Sequence, residues 1–103
     1  MYDDLKWSPA EKKIARSAFD SAYRREMDDV KNIIYEKVIK IKANEDVWAL
    51  EKFLSDCRKN MLKKYDYRYS QLIPVFYRLY KDGYLYPEDL EGLNNDKIKK
   101  IFG

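Results

Sequence analysis

The amino-acid sequence predicts an all-α protein, and three observations lead to that prediction. The 103 residues include only three glycines and three prolines, too few for the many turns of a sandwich or barrel. Between Pro9 and Pro74 there is neither glycine nor proline. Over most of that stretch apolar residues recur at spacings of three and four, the period of an amphipathic helix. Because this length fits one domain, we expect a single all-helical domain over residues 1–103.

The first helix is predicted to begin at Ser8. In the segment Ser8-Pro9-Ala10-Glu11, the hydroxyl and the carboxylate can form a capping box, with proline at the first helical position. Nothing in the sequence ends this helix before about Lys42. A helix of about 33 residues is roughly 50 Å long, whereas a compact globule of this size has a radius of gyration of only about 13 Å.

The far end of this helix therefore carries an apolar stripe that the rest of the chain is too small to cover. Since most soluble oligomers are two-fold dimers, we expect a second copy of the chain to cover it. The predicted dimer interface consists of Ile33, Ile34, Val38 and Ile41.

A second helix is predicted to follow, with Asn44 as its cap and two acidic residues in its first turn. Its apolar residues form a heptad seam, and the short connection predicts antiparallel packing of that seam against the first helix. On the seam, Cys57 is interpreted as a small buried apolar group and not as a reactive thiol. The seam residues are Val47, Leu50, Leu54, Cys57 and Met61. We refer to residues 8–64 as the stalk.

Residues 66–103 are predicted to form a compact head of short helices. A helical stretch from Asp66 to Asp82 would end with Gly83 as its C-terminal cap. Pro74 interrupts it and predicts a kink, or a restart capped by Ser70. Two further short helices are predicted to start at Pro87 and at Asn94.

The composition argues against an enzyme or a metal site. Histidine, the commonest general base and metal ligand, is absent. The single cysteine excludes an intramolecular disulfide and a Cys-only metal site. Paired carboxylates could hold a metal, but most of these pairs sit at predicted helix starts or at the chain end, so we expect them to be structural. The pairs are Asp3-Asp4, Asp28-Asp29, Glu45-Asp46 and Glu88-Asp89.

The sequence also favours a cytoplasmic location. No apolar run approaches the ~18 residues that a membrane span needs. The first six residues lack the basic and apolar regions of a signal peptide, and a lone cysteine suits a reducing compartment.

A cluster of tyrosines and cations offers a nucleic-acid alternative. Bases stack on aromatic rings while cations follow the phosphates, although tyrosine is also enriched at protein interfaces. Because 21 basic residues are mixed with 18 acidic ones, a small nucleic-acid-binding regulator is the less favoured hypothesis. The cluster consists of Lys63, Lys64, Tyr65, Tyr67, Arg68 and Tyr69.

Trp48 and Arg58 are candidates for a protein-binding surface on the second helix. Their spacing places them roughly 80° apart around the helix and about 15 Å apart along it. Tryptophan and arginine are favoured at binding hot spots. Trp48 lies beside the seam, so a core position is an equally open alternative.

Several segments, taken in order, resemble the fluorescence recovery protein family of cyanobacteria. The likeness is collinear from about Trp7 to Ile101 and rests on the spacing of several short motifs. They are Trp7-Ser8-Pro9-Ala10-Glu11, Phe19, Ala22-Tyr23-Arg24-Arg25-Glu26-Met27-Asp28, Trp48…Phe53-Leu54-Ser55…Arg58, Lys64-Tyr65-Asp66…Arg68…Ser70 and Val75-Phe76.

The resemblance implies an all-helical homodimer with a two-helix stalk and a compact head. It implies a non-enzymatic protein without a cofactor that binds the C-terminal domain of the photoactivated orange carotenoid protein. Such a protein accelerates the return to the resting orange state and ends phycobilisome quenching, at the cytosolic face of the thylakoids.

The resemblance also implies the partner-binding residues. Trp48 and Arg58 match positions that the family uses for function, whereas Glu51, Lys52 and Pro74 stand where family members carry a histidine, a carboxylate and an aromatic residue. The predicted partner-binding set is therefore Trp48, Glu51, Lys52, Arg58 and Pro74. A divergent homologue that binds another protein partner remains an alternative.

Overall fold

The computed structural model describes residues 6–103, and within them it is all-α, as predicted. The regular elements are α1 (Pro9–Ile39), α2 (Asn44–Lys64), α3 (Leu72–Lys81), a 3-10 helix (Pro87–Leu90) and α4 (Asn95–Phe102). The molecule is elongated, measuring 54 × 24 × 23 Å. None of the helices in this part of the chain is long and apolar enough to cross a membrane.

The predicted capping box at the start of α1 is confirmed. The Glu11 N–H donates to Ser8 Oγ at 3.1 Å, and the Ser8 N–H donates to Glu11 Oε1 at 3.1 Å. Pro9 is the first helical residue, a position where its missing N–H is not needed.

The end of α1 differs from the prediction, because the helix stops at Ile39 and not near Lys42. The N–H groups of Lys40 and Ile41 bond to carbonyls only three residues back, so the last turn tightens and the helix does not continue. Ile41 therefore lies in the connection between the two long helices, and only three of the four predicted interface residues belong to α1.

The start of α2 is fixed by a residue other than the predicted cap. Asn44 is the first helical residue, and the N-cap position is held by Ala43. The carboxylate of Asp46 accepts hydrogen bonds from the N–H groups of Lys42 and Ala43, each at 3.0 Å. These two bonds lower the pKa of Asp46, and they hold the connection in its tight turn.

The predicted antiparallel packing of α2 against α1 is confirmed. Lys37 of α1 lies 4.6 Å from the ring centre of Phe53, and the earlier residue Glu26 pairs with the later residue Lys64. The seam of α2 is nevertheless not buried within one protomer, because Lys64 is the only buried residue of this helix. Cys57 is half-buried, which corrects the prediction that it would be a buried core group.

The apolar core lies between the first half of α1 and the head. The α1 residues in it are mostly alanines, whose small side chains let the head approach the helix closely. The core comprises Trp7, Ala15, Ala18, Phe19, Ala22, Leu72, Ile73, Phe76, Leu79, Leu85, Leu90, Leu93 and Ile101.

The third helix starts later than predicted, at Leu72 and not at Asp66. Pro74 is therefore its third residue, where backbone N–H groups have no partner within the helix. For this reason the proline neither kinks the helix nor costs a hydrogen bond. Ser70 does not cap it either, because the N-cap position belongs to Gln71, which makes no side-chain capping bond.

The predicted cap at Gly83 is confirmed. Gly83 has φ +88°, its N–H bonds to the Tyr80 carbonyl at 3.1 Å, and the Tyr84 N–H bonds to the Leu79 carbonyl at 2.9 Å. This pair of bonds is a Schellman motif. The two later helix starts are also confirmed, at Pro87 for the 3-10 helix and at Asn94 as the cap of α4.

Candidate functional site

The candidate site is the outer surface of α2 together with the groove between α2 and α1. Four of the five predicted partner-binding residues lie on α2, while Pro74 lies on α3 in the head. Trp48 is 68% exposed, so the structure excludes a core position for this ring within one protomer. An exposed tryptophan on a rigid helix is well suited to act as a binding anchor.

The charges around Trp48 are open to solvent. Lys52 Nζ lies 3.1 Å from Asp56 Oδ2 across one helical turn, and both side chains are exposed. Glu51, Arg58 and Pro74 are also exposed. Within residues 6–103, no hydrogen bond or ion pair joins any two of the five predicted residues. The structure therefore places four of them along α2 without such bonds between them, and Pro74 apart from them on α3.

A groove of about 620 Å³ separates α1 from α2. Ile34 and Arg58 both line this groove. The groove therefore contains one residue of the predicted dimer interface and one of the predicted partner-binding set. Ile33, Val38 and Ile41 do not line it. The remaining lining is mainly apolar and includes Met27, Val30, Leu54, Cys57 and Met61.

Exposed apolar side chains are concentrated on the stalk. Within the described part of the chain, the large exposed apolar residues of the head are all tyrosines, whereas the stalk exposes aliphatic residues as well. A helix with an apolar face normally buries that face against another element. The large apolar side chains that the stalk exposes are Tyr23, Ile33, Tyr35, Val38, Ile39, Val47, Trp48, Leu54 and Leu62.

The tyrosine cluster considered for nucleic acid packs the head against α1. Phe19 contacts Tyr65 and Tyr67 edge to face, with ring centres 5.3 and 4.8 Å apart. Arg16 covers the Tyr67 ring at 4.7 Å, and Lys12 lies 5.0 Å from the centre of Tyr69. These contacts place a cation over Tyr67 and over Tyr69, although Tyr69 stays 38% exposed.

Two of the three cations of that cluster are paired, while Lys63 is exposed. Arg68 pairs with the carboxylate of Asp66, donating through Nε at 2.8 Å, and Lys64 is buried in an ion pair. The structure therefore gives no support to a nucleic-acid-binding surface at this cluster.

In each of the three acidic pairs within residues 6–103, at least one carboxylate has a hydrogen-bond partner. Asp29 accepts a hydrogen bond from the Tyr84 hydroxyl at 2.7 Å, and Asp89 forms a bidentate pair with Arg25 at 2.7 and 3.1 Å. The pair Asp3-Asp4 lies outside the described residues. Within residues 6–103 no group of three or more potential metal ligands is found.

Two buried lysines were not identified from the sequence, although a signal was present. Lys64 and Lys97 are both buried. Lys64 continues the seam three residues after Met61, and Lys97 lies four residues from Leu93 and from Ile101. A lysine in an apolar register predicts a buried ammonium with a carboxylate partner, because an unpaired one would be too costly.

The comparison with known families agrees with this geometry. The family model described as photoprotection regulator fluorescence recovery protein matches residues 7–103. The chain belongs to the fluorescence recovery protein family.

Solved and curated members of the fluorescence recovery protein family share both sequence and fold with this chain. It is 39% identical over 95 residues to the fluorescence recovery protein of Synechocystis sp. PCC 6803. This alignment covers 92% of this chain and 87% of that protein. The structure of the Fremyella diplosiphon fluorescence recovery protein matches with 41% identity and a TM-score of 0.86, covering 93% and 94% of the two chains. The structure of the Synechocystis protein matches with 38% identity, the same TM-score and the same coverage. The resemblance inferred from the motifs is confirmed, and the chain is placed in a family of photoprotection regulators.

Proposed function

We propose that this protein is a non-enzymatic, homodimeric regulator that binds the C-terminal domain of a photoactivated orange carotenoid protein. It accelerates the return of that partner to the resting orange state and so ends phycobilisome quenching. We place it in the cytoplasm, at the cytosolic face of the thylakoids. The observation that carries the proposal is the exposed Trp48 on α2, a helix that also exposes Arg58, in a chain of this family.

The homodimer is supported by the unfinished packing of the stalk. Apart from Lys64, no residue of α2 is buried within one protomer, and an apolar groove runs between α2 and α1. A second copy would cover the groove around Ile34 together with the nearby Ile33, Val38 and Ile41. Each Å² of apolar surface that is buried in this way contributes a favourable free energy of about 25 cal/mol.

The proposed mechanism is a shift in the populations of the partner's two states. A protein without a catalytic site can bias an equilibrium only through its different affinities for the two conformations. Trp48 and Arg58 would supply that difference by binding one conformer better than the other.

The experiment that tests this function is dark recovery of a photoactivated orange carotenoid protein. The protein should accelerate recovery, and Trp48→Ala should weaken binding by about thirtyfold or more, since hot-spot truncations remove ~2 kcal/mol or more. Tyr35→Ala is the matched control, because Tyr35 is a similarly exposed ring, at 66% against 68%, and lies outside the predicted set. Equal effects of the two variants would contradict the assignment of Trp48.

A second candidate function is binding of a different protein partner, and the charge of the α2 surface favours testing it. Lys52 is exposed, and among the residues that the structure describes its one ion-pair partner is Asp56 of its own helix. The family is expected to carry a carboxylate at the position of Lys52. If neither the unaltered protein nor Lys52→Asp accelerates recovery while Trp48 remains exposed in the dimer, a different partner is indicated.

A further inference from the structure

The end of α2 is held by an ammonium group buried between three elements. The side chain of Lys64 is only 6% exposed, and its Nζ lies 2.7 Å from Glu26 Oε1 and 2.6 Å from Asp82 Oδ2. Glu26 belongs to α1, and Asp82 caps the C-terminus of α3. The Nζ also lies 5.1 Å from the ring centre of Tyr84, which follows α3. One cation therefore joins α1, α2 and the head.

No other part of α2 is anchored in this way. The remaining 20 of its 21 residues are half-buried or exposed. Tyr65, directly after the helix, supports the same point, because its hydroxyl donates to Glu26 Oε1 at 2.8 Å. Burial, followed by this hydrogen bond, raises the pKa of Tyr65 above its ordinary value of 10.0.

An ion pair at this position does what an apolar residue could not. A methionine or leucine on the seam could pack against several orientations of the head, because apolar contacts have no direction. A buried ammonium is favourable only when its carboxylates are correctly placed. Since Glu26 and Asp82 come from different elements, Lys64 is satisfied only when α1, α2 and α3 are correctly positioned together.

We propose that Lys64 is a clamp that fixes the position of α2 relative to the head. This inference goes beyond the proposed function, because it concerns contacts within one protomer and does not depend on any partner. Removing the clamp should release the C-terminal end of α2 and the end of α3 as one local unit. The apolar core between the first half of α1 and α4 should remain closed.

Hydrogen exchange of the full-length protein, followed by mass spectrometry, tests the proposal. In Lys64→Met, exchange in residues 61–71 and 82–85 should rise by about tenfold or more, because removing one partner of a buried pair leaves the other charges uncompensated. Exchange in residues 15–22 and in α4 should change little. Lys63→Met is the matched control, since it removes the same charge from the adjacent, exposed position and should have no effect.

Two milder variants keep the test decisive if Lys64→Met does not fold. Glu26→Gln and Asp82→Asn each remove one carboxylate charge and should raise exchange in the same two segments by a smaller factor. Unchanged exchange in residues 61–71 in the folded variants would overturn the proposal. A uniform rise across the whole chain would also overturn it, because that result describes general destabilisation and not a local clamp.

Discussion

Lys97 and Glu11, which are 86 positions apart in sequence, form a buried ion pair that joins the last helix to the first. Lys97 Nζ lies 3.0 and 3.1 Å from the two carboxylate oxygens of Glu11 and also donates to the Lys6 carbonyl at 2.6 Å. It lies 4.8 Å from the ring centre of Trp7. The N–H of Asn94 adds a further bond to Glu11 at 3.0 Å. Glu11 thus caps α1 and fastens α4 to it.

The carboxylate of Glu11 is held in its charged form. Burial by itself would raise its pKa, but the N–H groups of Asn94 and Ser8 and the ammonium of Lys97 together bring the pKa below its ordinary value of 4.5. A group whose pKa is lowered by folding stabilises the folded state above its unfolded pKa. That stabilisation is lost as the pH falls through the lower, folded value.

We therefore expect Glu11→Gln to lower the free energy of unfolding at pH 7 by about 3 kcal/mol, because it leaves Lys97 buried without its charge partner. The difference from the unaltered protein should shrink as the pH falls below 4.5. Denaturant unfolding of both proteins at pH 7 and pH 3, at one protein concentration, measures the loss of unfolding free energy and its change with pH. Glu36→Gln, at an exposed position, is the control, and a Glu11→Gln deficit of the same size at both pH values would refute the linkage.

The predicted dimer interface is tested by Ile34→Glu. A charge placed in an apolar interface without a partner costs several kcal/mol, so this variant should be monomeric, or poorly folded, in sedimentation experiments. Tyr35→Glu is the control, because Tyr35 is adjacent but does not line the groove. An unchanged dimer in the Ile34 variant would show that the groove is not the interface.

The charge of Lys52 predicts weak binding to a typical cyanobacterial orange carotenoid protein. A partner surface that complements a carboxylate would meet a like or unpaired charge here, and like charges in contact cost several kcal/mol. Lys52→Asp should therefore strengthen the complex in titrations and accelerate recovery, whereas Lys63→Asp should not. If the unaltered protein is already fully active and Lys52→Asp changes nothing, the charge at this position is neutral for binding.

Pro74→Phe tests whether the head contacts the partner. Pro74 is exposed in the first turn of α3, so its replacement removes no packing contact of the core and should leave the melting temperature nearly unchanged. If the head binds the partner, the new ring should add affinity to that of Lys52→Asp in the same titration. No gain in affinity from the ring would argue that this part of the head stays outside the complex.

Nucleic acid should bind only weakly and without sequence preference at physiological salt. Arg16 lies over the ring of Tyr67 and Lys12 over the ring of Tyr69, and Arg68 is paired with Asp66. Fluorescence anisotropy with single-stranded and duplex oligonucleotides measures this. Tight, sequence-dependent binding would revive the regulator hypothesis.

The sequence alone determined the features that depend on local chemistry. The capping box of Ser8 and Glu11, the Schellman turn at Gly83 and the cap at Asn94 involve neighbouring residues, so their geometry follows from residue type and spacing. The helical period and the antiparallel order of α1 and α2 follow from the same local patterns. Family membership was also readable, because several short motifs retain their order along the chain.

Only the tertiary structure decided the features that join distant residues. The segment after α2 has helical spacing, yet Tyr65 and Tyr67 pack against Phe19 and α3 begins only at Leu72. Pro74 therefore lies in the first turn of α3, where its missing N–H costs no hydrogen bond. Glu26, one partner of Lys64, lies 38 positions away, and Glu11, the partner of Lys97, lies 86 positions away. No local pattern specifies these pairings. The exposure of Trp48 was equally undecided, because the sequence does not say whether a ring beside an apolar seam packs against the neighbouring helix or stays in solvent. In the structure Trp48 is exposed and does not line the groove between α1 and α2.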